Sequence, residues 1–537
     1  MLFEALVSAS EAVKQTRSRQ KKVEHLAACI GQLFSDAASS GAPALAPAGE
    51  VGARQLEVGV AYLAGELPQG RIGLGPAAVF KHPPGAAQAH AVLSVSDVDA
   101  TFAAIARVSG GGAVAERLRL WMQLLERGTE LEQQFLRRLL VGELRQGALA
   151  SLVADAVARA AQVSPDSVRR ALMFAGSLSE VARAAMTGGE GALAGYHIQL
   201  FRPIQPMLAQ TAETPEAALE QLASAAFEYK LDGARIQVHK LGSEVRVYTR
   251  QLSDVTLAVP EVVELVRALP SSSLVLDGEV LSLRADGSPE PFQITMRRFG
   301  RKLDIATLQQ TQPLHPFFFD CLHRDGGDVL DLPTSERFLA LDEVTPAASR
   351  MPRLVSSDPI EAVAFFEKAL DQGHEGVMAK ALDASYAAGR RGQSWLKVKS
   401  HHTLDLVVLG VEWGSGRRQG WLSNLHLGAR DPNGGYVMVG KTFKGLTDQL
   451  LTWQTEALSA LEVARDAYSI YVRPELVVEI AFNDVQDSPH YPGGVALRFA
   501  RVKRYRPDKS ALEADTIDTL RALRPAALGA VGAREEG

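Results

Sequence analysis

The sequence predicts a multidomain protein of mixed α and β structure: an all-α N-terminal domain, an α+β middle domain and a small C-terminal β-barrel. Three observations predict this order. Apolar residues recur at helical spacing in the first 200 residues, apolar and polar residues alternate from about residue 226, and short strands with glycine turns fill residues 404–506. A length of 537 residues is enough for about three or four domains. We place the boundaries at 1–203, 204–402, 403–510 and 511–537.

The N-terminal domain is predicted to be helical because Ala, Leu, Glu, Arg and Gln dominate it. Leu131, Phe135 and Leu139 recur at helical spacing. Ser164 followed by Pro165 is typical of a helix start, since serine caps the first amides and proline fits the first turn. The glycines of MTGGEG, residues 186–191, are expected to separate two helices.

The middle domain is predicted to begin after a linker with two prolines, residues 201–206. Strands are expected from about 226 to 285, with Leu241-Gly242-Ser243 as a turn between two of them. Helices are expected at 260–269 and 359–372, and strands again around 376–380 and 395–399. This mixture indicates an α+β domain.

The C-terminal domain is predicted to start after Ser400-His401-His402 with the β-rich run LDLVVLGVE, residues 404–412. Strands and glycine turns then recur through about residue 506, which is typical of a small barrel. Residues 511–537 are Ala-rich, and we expect one helix followed by a frayed tail.

Composition narrows the class of protein. Hydrophobic residues make up 46% of the chain and charged residues 22%, which argues against wholesale disorder. No apolar stretch of about 18 residues and no secretory pattern occur, so neither a membrane span nor secretion is predicted. Cys29 and Cys321 cannot form a zinc ribbon or a disulfide framework, and they fit a reducing cytosol. The formal charge of −5, from 57 basic and 62 acidic residues, does not as a total suggest a nucleic-acid binder.

The main chemical signal is the segment Glu228-Tyr229-Lys230-Leu231-Asp232-Gly233-Ala234-Arg235. A lysine before a short acidic turn, with an arginine on the next strand, suits nucleophilic attack on a phosphate. Gly233 permits a tight turn, and Arg235 can make paired contacts to a phosphate or a carboxylate. The alternative interpretation is a hairpin turn with a surface salt bridge.

Six further segments follow in a fixed order along the chain. They are Thr249-Arg250, Leu276–Glu279, Phe317–Asp320, Glu375–Lys380, Trp395–Lys399, and Arg498–Arg501 running on to Arg506–Lys509. The ordered set resembles the covalent nucleotidyltransferase superfamily, which holds ATP-dependent DNA ligases, RNA ligases and mRNA capping enzymes. The resemblance covers roughly residues 226–509 and implies a nucleotidyltransferase middle domain of ATP-grasp-like type and a C-terminal OB-fold barrel.

The resemblance implies that Lys230 attacks the α-phosphate of ATP, forms a lysyl-AMP phosphoramidate and releases pyrophosphate. The attacking amine must be neutral, and only about one free lysine in 10³ is neutral near pH 7. Nearby cations and a bound metal lower the pKa of a lysine. Lys397 and Lys399 alternate on a strand and therefore share one face. That face is either the nucleotide pocket or a solvated surface, and the adjacent Trp395 favours the pocket.

The other nucleotide contacts are also implied by the resemblance. Glu279 matches a ribose contact and Glu375 a metal ligand, and both are carboxylates suited to Mg²⁺, for which Mn²⁺ can substitute. Phe319 matches the ring that stacks on adenine, with Phe317 and Phe318 left for the core. The remaining matches are Glu228, Arg235, Arg250 and Arg391, the last with Arg390 as a competing choice.

The last segment, RFARVKRYRPDK, is strongly basic. In the resembled family this segment closes over ATP and orients the leaving pyrophosphate, which implies that role for Arg498, Asp508 and Lys509. A solvated charged face is the alternative.

The long helical domain distinguishes between members of the superfamily, because capping enzymes and most RNA ligases lack one. Three segments are similar to the DNA-binding domain, and its exit, of replicative-type ATP-dependent DNA ligases, bacterial accessory members in particular: Gly65–Arg71, Phe135–Ala148 and Pro206–Ala209. The loop of residues 70–75 could touch phosphate, although a helix connector is the stronger interpretation.

The resemblance thus implies a DNA ligase that seals 5′-phosphate/3′-hydroxyl nicks in duplex DNA with ATP and no zinc, as a monomer that encircles DNA in the nucleoid-containing cytoplasm. An RNA ligase of the same superfamily and an inactive DNA-binding scaffold remain alternatives. An NAD-dependent ligase is not expected, because the zinc-ligating cysteines of that class are missing.

Overall fold

The computed structural model describes residues 1–39, 47–81, 86–144, 149–290, 292–300, 309–387, 391–400 and 402–523. The chain divides into two compact units, with the division between residues 397 and 398. Within the described ranges, no helix combines the length and the apolar character that crossing a membrane requires.

The N-terminal region is helical, as predicted. Its helices are α1 (Phe3–Gln15), α2 (Arg19–Ser39), α3 (Pro47–Leu63), α4 (Pro76–Lys81), α5 (Val95–Arg107), α6 (Ala113–Glu126), α7 (Glu130–Leu140), α8 (Leu149–Ala161), α9 (Pro165–Ala175) and α10 (Leu178–Ala194). Ser164 caps α9 through the Asp166 amide, with Pro165 in the first turn, which confirms that predicted start. The break expected at residues 186–191 is confirmed, because Gly189, with φ 57° and ψ −147°, leaves the helical conformation and forms a kink between two helical stretches of α10.

One continuous apolar core holds these helices together. Phe3, Tyr62, Phe102 and Trp121 are fully buried and pack ring against ring, with centroids about 6 Å apart. The loop of residues 70–75 connects α3 to α4, as the connector interpretation predicted.

The middle region combines two β-sheets with helices, as predicted. Its strands are β1 (Leu208–Thr211), β2 (Ala225–Lys230), β3 (Ala234–Leu241), β4 (Glu244–Thr249), β5 (Ser273–Ser282), β6 (Leu314–Arg324), β7 (Gly327–Asp328), β8 (Arg353–Ser356), β9 (Gly376–Ala381) and β10 (Arg391–Lys399). Its helices are α11 (Pro215–Leu222), α12 (Pro260–Arg267), α13 (Phe292–Gly300), α14 (Thr334–Val344) and α15 (Pro359–Asp371). The predicted turn at Leu241–Ser243 is confirmed, with Gly242 at φ 57°.

The strands form two five-stranded sheets. The first sheet has the order β1-β10-β9-β2-β8 and the second sheet β4-β3-β5-β6-β7. In the second sheet every pairing is antiparallel, whereas β1 pairs with β10 in parallel in the first.

The two faces of the second sheet differ in chemistry because side chains alternate along each strand. Ile236, Val238 and Leu276 belong to an apolar core that includes residues of α12 and α14. The intervening Arg235 and Asp277 point to the opposite face, where Arg235 lies near Trp395 of the first sheet. A polar and aromatic interior therefore separates the two sheets.

The C-terminal unit is rich in β structure, and its elements are β11 (His402–Trp413), β12 (Leu422–Arg430), β13 (Tyr436–Thr442), α16 (Asp448–Ala460), β14 (Glu462–Arg465), β15 (Ser469–Val472), β16 (Val477–Phe482), β17 (Asp484–Asp487), β18 (Val495–Arg498), β19 (Arg501–Tyr505) and α17 (Ile517–Ala522). A seven-stranded sheet runs β13-β12-β11-β15-β14, with β16 joining β11 to β19. Strand pairing in the described residues does not close this sheet, so it does not establish the predicted barrel. The expected C-terminal helix is confirmed, and residues 524–537 lie outside the described part of the chain.

Candidate active site

Lys230 is the last residue of β2. Its carbonyl accepts the Glu375 amide at 3.0 Å, next to the point where β2 and β9 pair Lys230 with Gly376. This pairing brings Lys230 Nζ to 2.5 Å from Glu375 Oε2. The lysine side chain is 23% exposed and the glutamate side chain 18%, so the amine is only partly accessible to solvent.

Gly233 lies in the turn after Lys230 and packs closely against β5. A Cβ at this position would lie 2.5 Å from Val280 O and 3.0 Å from Glu279 Cγ. Gly233 does not adopt a positive φ. The turn therefore does not need the left-handed freedom of glycine, and the close approach of the motif to β5 is what excludes a side chain here.

Glu279 lies on β5 opposite Arg235 of β3, on the face of the sheet that carries the site. Burial raises the pKa of the Glu279 carboxyl to about 7. The cations of Lys230 and Arg235 oppose this rise. The carboxylates of Asp277 and Glu375 add to it, because like charges disfavour ionisation. The structure thus brings Lys230, Glu279 and Glu375 together, as predicted.

Arg235 is held by a buried carboxylate. Its Nε and Nη2 donate to the two oxygens of Asp277 at 3.0 and 2.6 Å, the paired geometry that guanidinium favours. Asp277 is 1% exposed and also accepts the Tyr386 hydroxyl at 2.8 Å. Of the two partners that the sequence left open for Arg235, a carboxylate or a phosphate, the carboxylate is present in the fold itself.

Aromatic rings line the space between the sheets. Phe319 is 8% exposed and meets Trp395 edge to face at 6.0 Å, with Lys380 Nζ 4.6 Å from its centroid. Phe318 is fully buried in the core, as predicted. Phe317 is only partly buried and lies opposite Glu279 on β5, so its expected place in the core is wrong. A bulge in the pairing of β5 with β6 leaves Phe319 unpaired between Phe318 and the next residue.

Glu228 is buried inside an ion network. Its carboxylate lies 2.5 Å from Lys380 Nζ and 3.5 Å from Arg353 Nε. Burial raises the pKa of Glu228, and the two cations oppose the rise. Lys380 Nζ also donates to Phe319 O at 3.0 Å, so Glu228 supports the aromatic wall of the site through Lys380.

The remaining predicted residues of the middle region lie on β10 or directly after β4. Arg250 is exposed, directly after β4. Arg391 begins β10, but its side chain and the competing Arg390 lie outside the described part. Lys397 and Lys399 are half-buried on β10 and alternate with the fully buried Leu396 and Val398, which confirms that the lysines share a face.

The predicted closing residues belong to the C-terminal unit. Asp508 accepts three hydrogen bonds from Arg506, at 2.9, 3.2 and 2.6 Å, which hold the pKa of its carboxyl down at about 2. Lys509 Nζ lies 2.6 Å from Asp405 Oδ2, which Arg506 also contacts at 3.0 Å. Arg498 ends β18, with its guanidinium 5.4 Å from the ring of Phe499.

Several residues that shape the site escaped the sequence prediction: Asp277, Arg353, Lys380 and Tyr386. Asp277 and Lys380 stood inside quoted motifs, and each is a charged residue in an apolar strand, a pattern that predicts a buried ion pair. Tyr386 carried no such signal, because its partners are far away in sequence.

Glu279 and Glu375 form an acidic pair beside Lys230. No group of three or more His, Cys, Asp and Glu side chains is placed to hold a metal ion in the described ranges. Mg²⁺ in phosphoryl transfer needs only one or two carboxylates besides phosphate oxygens. Glu279 and Glu375 supply that number, and their mutual repulsion is the kind that a cation relieves.

Two sheets that enclose a lysine, carboxylates and aromatic rings define the middle region as a nucleotidyltransferase domain. The chain matches the "DNA ligase N terminus" family over residues 77–158, the "ATP dependent DNA ligase domain" over 206–399 and the "ATP dependent DNA ligase C terminal region" over 418–509. A probable DNA ligase of Anaeromyxobacter sp. (strain Fw109-5) is 55% identical over 526 residues, covering 97% of this chain and 98% of the relative.

A probable DNA ligase of Sorangium cellulosum (strain So ce56) is 52% identical over 539 residues, covering 100% of this chain and 97% of the relative. The solved structure Pmar-Lig_PreS3 has a TM-score of 0.60 at 19% identity, covering 93% of this chain and 99% of that one, which shows a shared fold. The chain belongs to the ATP-dependent DNA ligase family. It is therefore a DNA ligase that uses ATP, and the RNA-ligase and inactive-scaffold alternatives find no support among these relatives.

Proposed function

We propose that Lys230 is the nucleophile that carries AMP. Its Nζ attacks the α-phosphate of ATP, a P–N bond forms, and the bond to the pyrophosphate oxygen breaks. The observation that carries this proposal is the position of Nζ, partly exposed and 2.5 Å from Glu375, beside Glu279 and between the two sheets. The carboxylate orients the amine toward the space where a phosphate enters.

We propose Glu279 and Glu375 as the protein ligands of Mg²⁺, with Mn²⁺ as a substitute. A bound divalent cation supplies neutralisation of the charge on the phosphate oxygens. Glu279 supports this role because its carboxyl keeps its proton to about pH 7 without a cation, and a nearby cation favours the charged form. Glu279 is proposed to contact the ribose as well.

The nucleotide is proposed to lie between the sheets. Phe319 stacks on adenine, Arg235 and Glu228 fix the nucleoside side, and the basic residues contact phosphate or ribose oxygens: Arg250, Arg391, Lys397 and Lys399. The support is the aromatic and polar interior around Phe319 and Arg235, where a flat base finds ring faces and hydrogen-bonding groups.

The substrate is proposed to be nicked duplex DNA. AMP passes from Lys230 to the 5′-phosphate of the nick, and the 3′-hydroxyl then displaces AMP. Residues 1–203 act as the DNA-binding domain, 204–402 as the adenylation domain and 403–510 as an OB-fold, followed by the helix and tail of 511–537. We propose that the enzyme encircles the duplex as a monomer and that it works in the cytoplasm, in association with the nucleoid.

The basic segment RFARVKRYRPDK, residues 498–509, is proposed to orient pyrophosphate through Arg498, Asp508 and Lys509. Its support is the network within the C-terminal unit, in which Arg506 and Asp405 hold Asp508 and Lys509 in fixed positions. A side chain held in advance loses less rotamer entropy when it contacts a ligand.

Self-adenylation tests the proposal directly. Wild-type protein incubated with α-labelled ATP and Mg²⁺ is expected to retain label after denaturation, and Lys230→Ala to retain none. Lys14→Ala, which changes an exposed lysine of α1, serves as the matched control and is expected to label like wild type. A Lys230→Ala protein that still labels would refute the role of Lys230.

A further inference from the structure

The segment that joins the helical region to the nucleotidyltransferase domain is fastened to the second sheet through its backbone. This connecting segment, residues 195–207, runs from the end of α10 to the start of β1. Sheet side chains take up its backbone groups one after another: Asp328 binds Ile198 N, His239 binds Phe201 N, Tyr248 binds Phe201 O, and Gln237 binds both N and O of Ile204. The segment is therefore docked along its length.

The last residue of the connecting segment is bound by the site itself. The Met207 amide donates to Tyr386 Oη at 3.0 Å, and the Met207 carbonyl accepts Arg235 Nη1 at 2.7 Å. Both partners also bind Asp277. One buried carboxylate thus holds the two side chains that receive the end of the segment.

The Tyr386 hydroxyl uses all of its hydrogen-bonding capacity. It donates to Asp277 Oδ2 at 2.8 Å and accepts from the Met207 amide and, at 3.2 Å, from Arg235 Nη2. A hydroxyl offers one donor and two acceptor sites, so none remains. The residue is 2% exposed, and its ring meets Trp395 edge to face at 5.8 Å. Hydrogen bonds within the fold therefore satisfy the hydroxyl completely, and they join it to Asp277, Arg235 and Met207.

We propose that Tyr386 is a positioning residue of the nucleotide site: its hydroxyl orients Asp277 and Arg235 and couples that orientation to the docking of the connecting segment. The inference rests on the proposed function, since Arg235 acts on a nucleotide only if the site binds ATP. Coupling of this kind is reciprocal, so occupation of the site also tightens the hold on Met207.

Tyr386→Phe isolates the hydroxyl, because the ring that packs against Trp395 is retained. The substitution leaves the buried Met207 amide without its acceptor and takes one donor from Asp277. Arg235 then keeps its two hydrogen bonds to Asp277 and its bond to the Met207 carbonyl, but it loses its bond to the Tyr386 hydroxyl. A buried donor that loses its acceptor costs folding free energy. We expect the Arg235 guanidinium to shift in response, because this movement costs the least.

Tyr248→Phe is the matched control. The Tyr248 hydroxyl also bonds the connecting segment, at 2.8 Å from Phe201 O, and Tyr248 is 5% exposed. Its ring packs on His239 and its hydroxyl bonds the segment at Phe201, away from Met207. The control therefore loses one bond to the segment and leaves the nucleotide site intact.

The experiment measures the rate of self-adenylation against ATP concentration in the full-length wild type and both variants. Tyr386→Phe is expected to raise the KM for ATP about tenfold, the size of one hydrogen bond to a charged group, with a smaller change in the maximum rate. Tyr248→Phe is expected to leave the KM within about twofold, at a similar loss of thermal stability. A KM for Tyr386→Phe that matches wild type, or an equal rise in Tyr248→Phe, overturns the inference.

A measurement on the wild type alone guards against a variant that fails to fold. Hydrogen exchange at the Met207 amide is compared between adenylated protein and protein stripped of AMP with pyrophosphate. Adenylation is expected to slow that exchange at least about threefold, and equal rates in the two forms overturn the coupling. A wild type that forms no adenylate at all would instead refute the proposed function, so the two failures are distinguishable.

Discussion

Asp277→Asn probes the ion pair at the centre of the site. Asp277 is 1% exposed and the Arg235 side chain 16%, and two hydrogen bonds of 3.0 and 2.6 Å join them. Asparagine keeps one acceptor oxygen but turns an NH₂ group toward the guanidinium, so a largely buried cation loses its counter-charge. Breaking one side of such a pair costs about 3–5 kcal/mol of folding free energy.

The same substitution also disturbs the position of Arg235. If the site uses that guanidinium, losing a hydrogen bond to a charged group, about 1.5–3 kcal/mol, lowers self-adenylation about tenfold to hundredfold. The assay combines a urea titration followed by circular dichroism with labelling by α-labelled ATP, normalised to the folded fraction. The denaturant midpoint and the normalised rate are both expected to fall.

Asp320→Asn is the control for this prediction. Asp320 and Arg337 form a fully buried pair on β6 and α14, joined by hydrogen bonds of 2.7 and 3.0 Å. The variant is expected to lose a similar folding free energy while its normalised labelling stays within a few-fold of wild type. Equal losses of labelling in the two variants, or a loss below about 1 kcal/mol in Asp277→Asn, refute the reasoning.

Three further outcomes follow from the site. Gly233→Ala is expected to slow self-adenylation at least about tenfold, because the new methyl group would meet Val280 O at 2.5 Å. Labelling by α-labelled ATP, compared at equal concentrations of folded protein, measures this rate. In metal-free protein, the free energy of unfolding is expected to fall as pH rises from about 4.3 to about 7, because the Glu279 carboxyl keeps its proton in the folded protein and has lost it in the unfolded protein. Urea titrations at several pH values measure this dependence, and Glu279→Gln is expected to flatten it. Lys509→Ala is expected to reduce self-adenylation more than sealing of a pre-adenylated nick.

Each of these has an outcome that contradicts it. A Gly233→Ala protein with wild-type labelling would show that β5 yields without disturbing Glu279. An unchanged pH slope in Glu279→Gln would assign the titration to another group. Lys441→Ala, which breaks a 2.5 Å pair with Glu412 in the same unit, is the control for Lys509→Ala and should leave both steps unaltered.

Local patterns predicted most of the fold. Helical spacing, the Ser164-Pro165 start and the turn at Gly242 each depend on residues close in sequence, and each is confirmed. The glycines within α10 are a further local signal, because Gly189 adopts a positive φ that other residues rarely adopt and so interrupts the helix where the sequence predicts a break.

The site was predicted at the level of motifs but not of contacts. Lys230, Glu279 and Glu375 meet as expected because strand pairing places motif residues side by side. The partners of Arg235 could not be read from spacing, since Tyr386 lies 151 residues away along the chain. The misplaced Phe317 has a local cause, because Phe317 and Phe318 are neighbours in regular register on β6 and therefore point to opposite faces of the sheet, so both cannot enter the same core.

The two sheets of the nucleotidyltransferase domain differ in how far apart their strands lie along the chain. In the second sheet each strand pairs with one that is near it along the chain: β3 pairs with β4 and β5, and β5 pairs with β6. The first sheet instead pairs β1 with β10, with Leu208 opposite Arg391. Distant pairings form late, because a large loop must close before they gain contacts. A chain emerging from the ribosome can thus pair the strands of the second sheet before the first sheet is complete. The contact between Lys230 at the end of β2 and Glu375 directly before β9 forms only after most of the middle region has been synthesised.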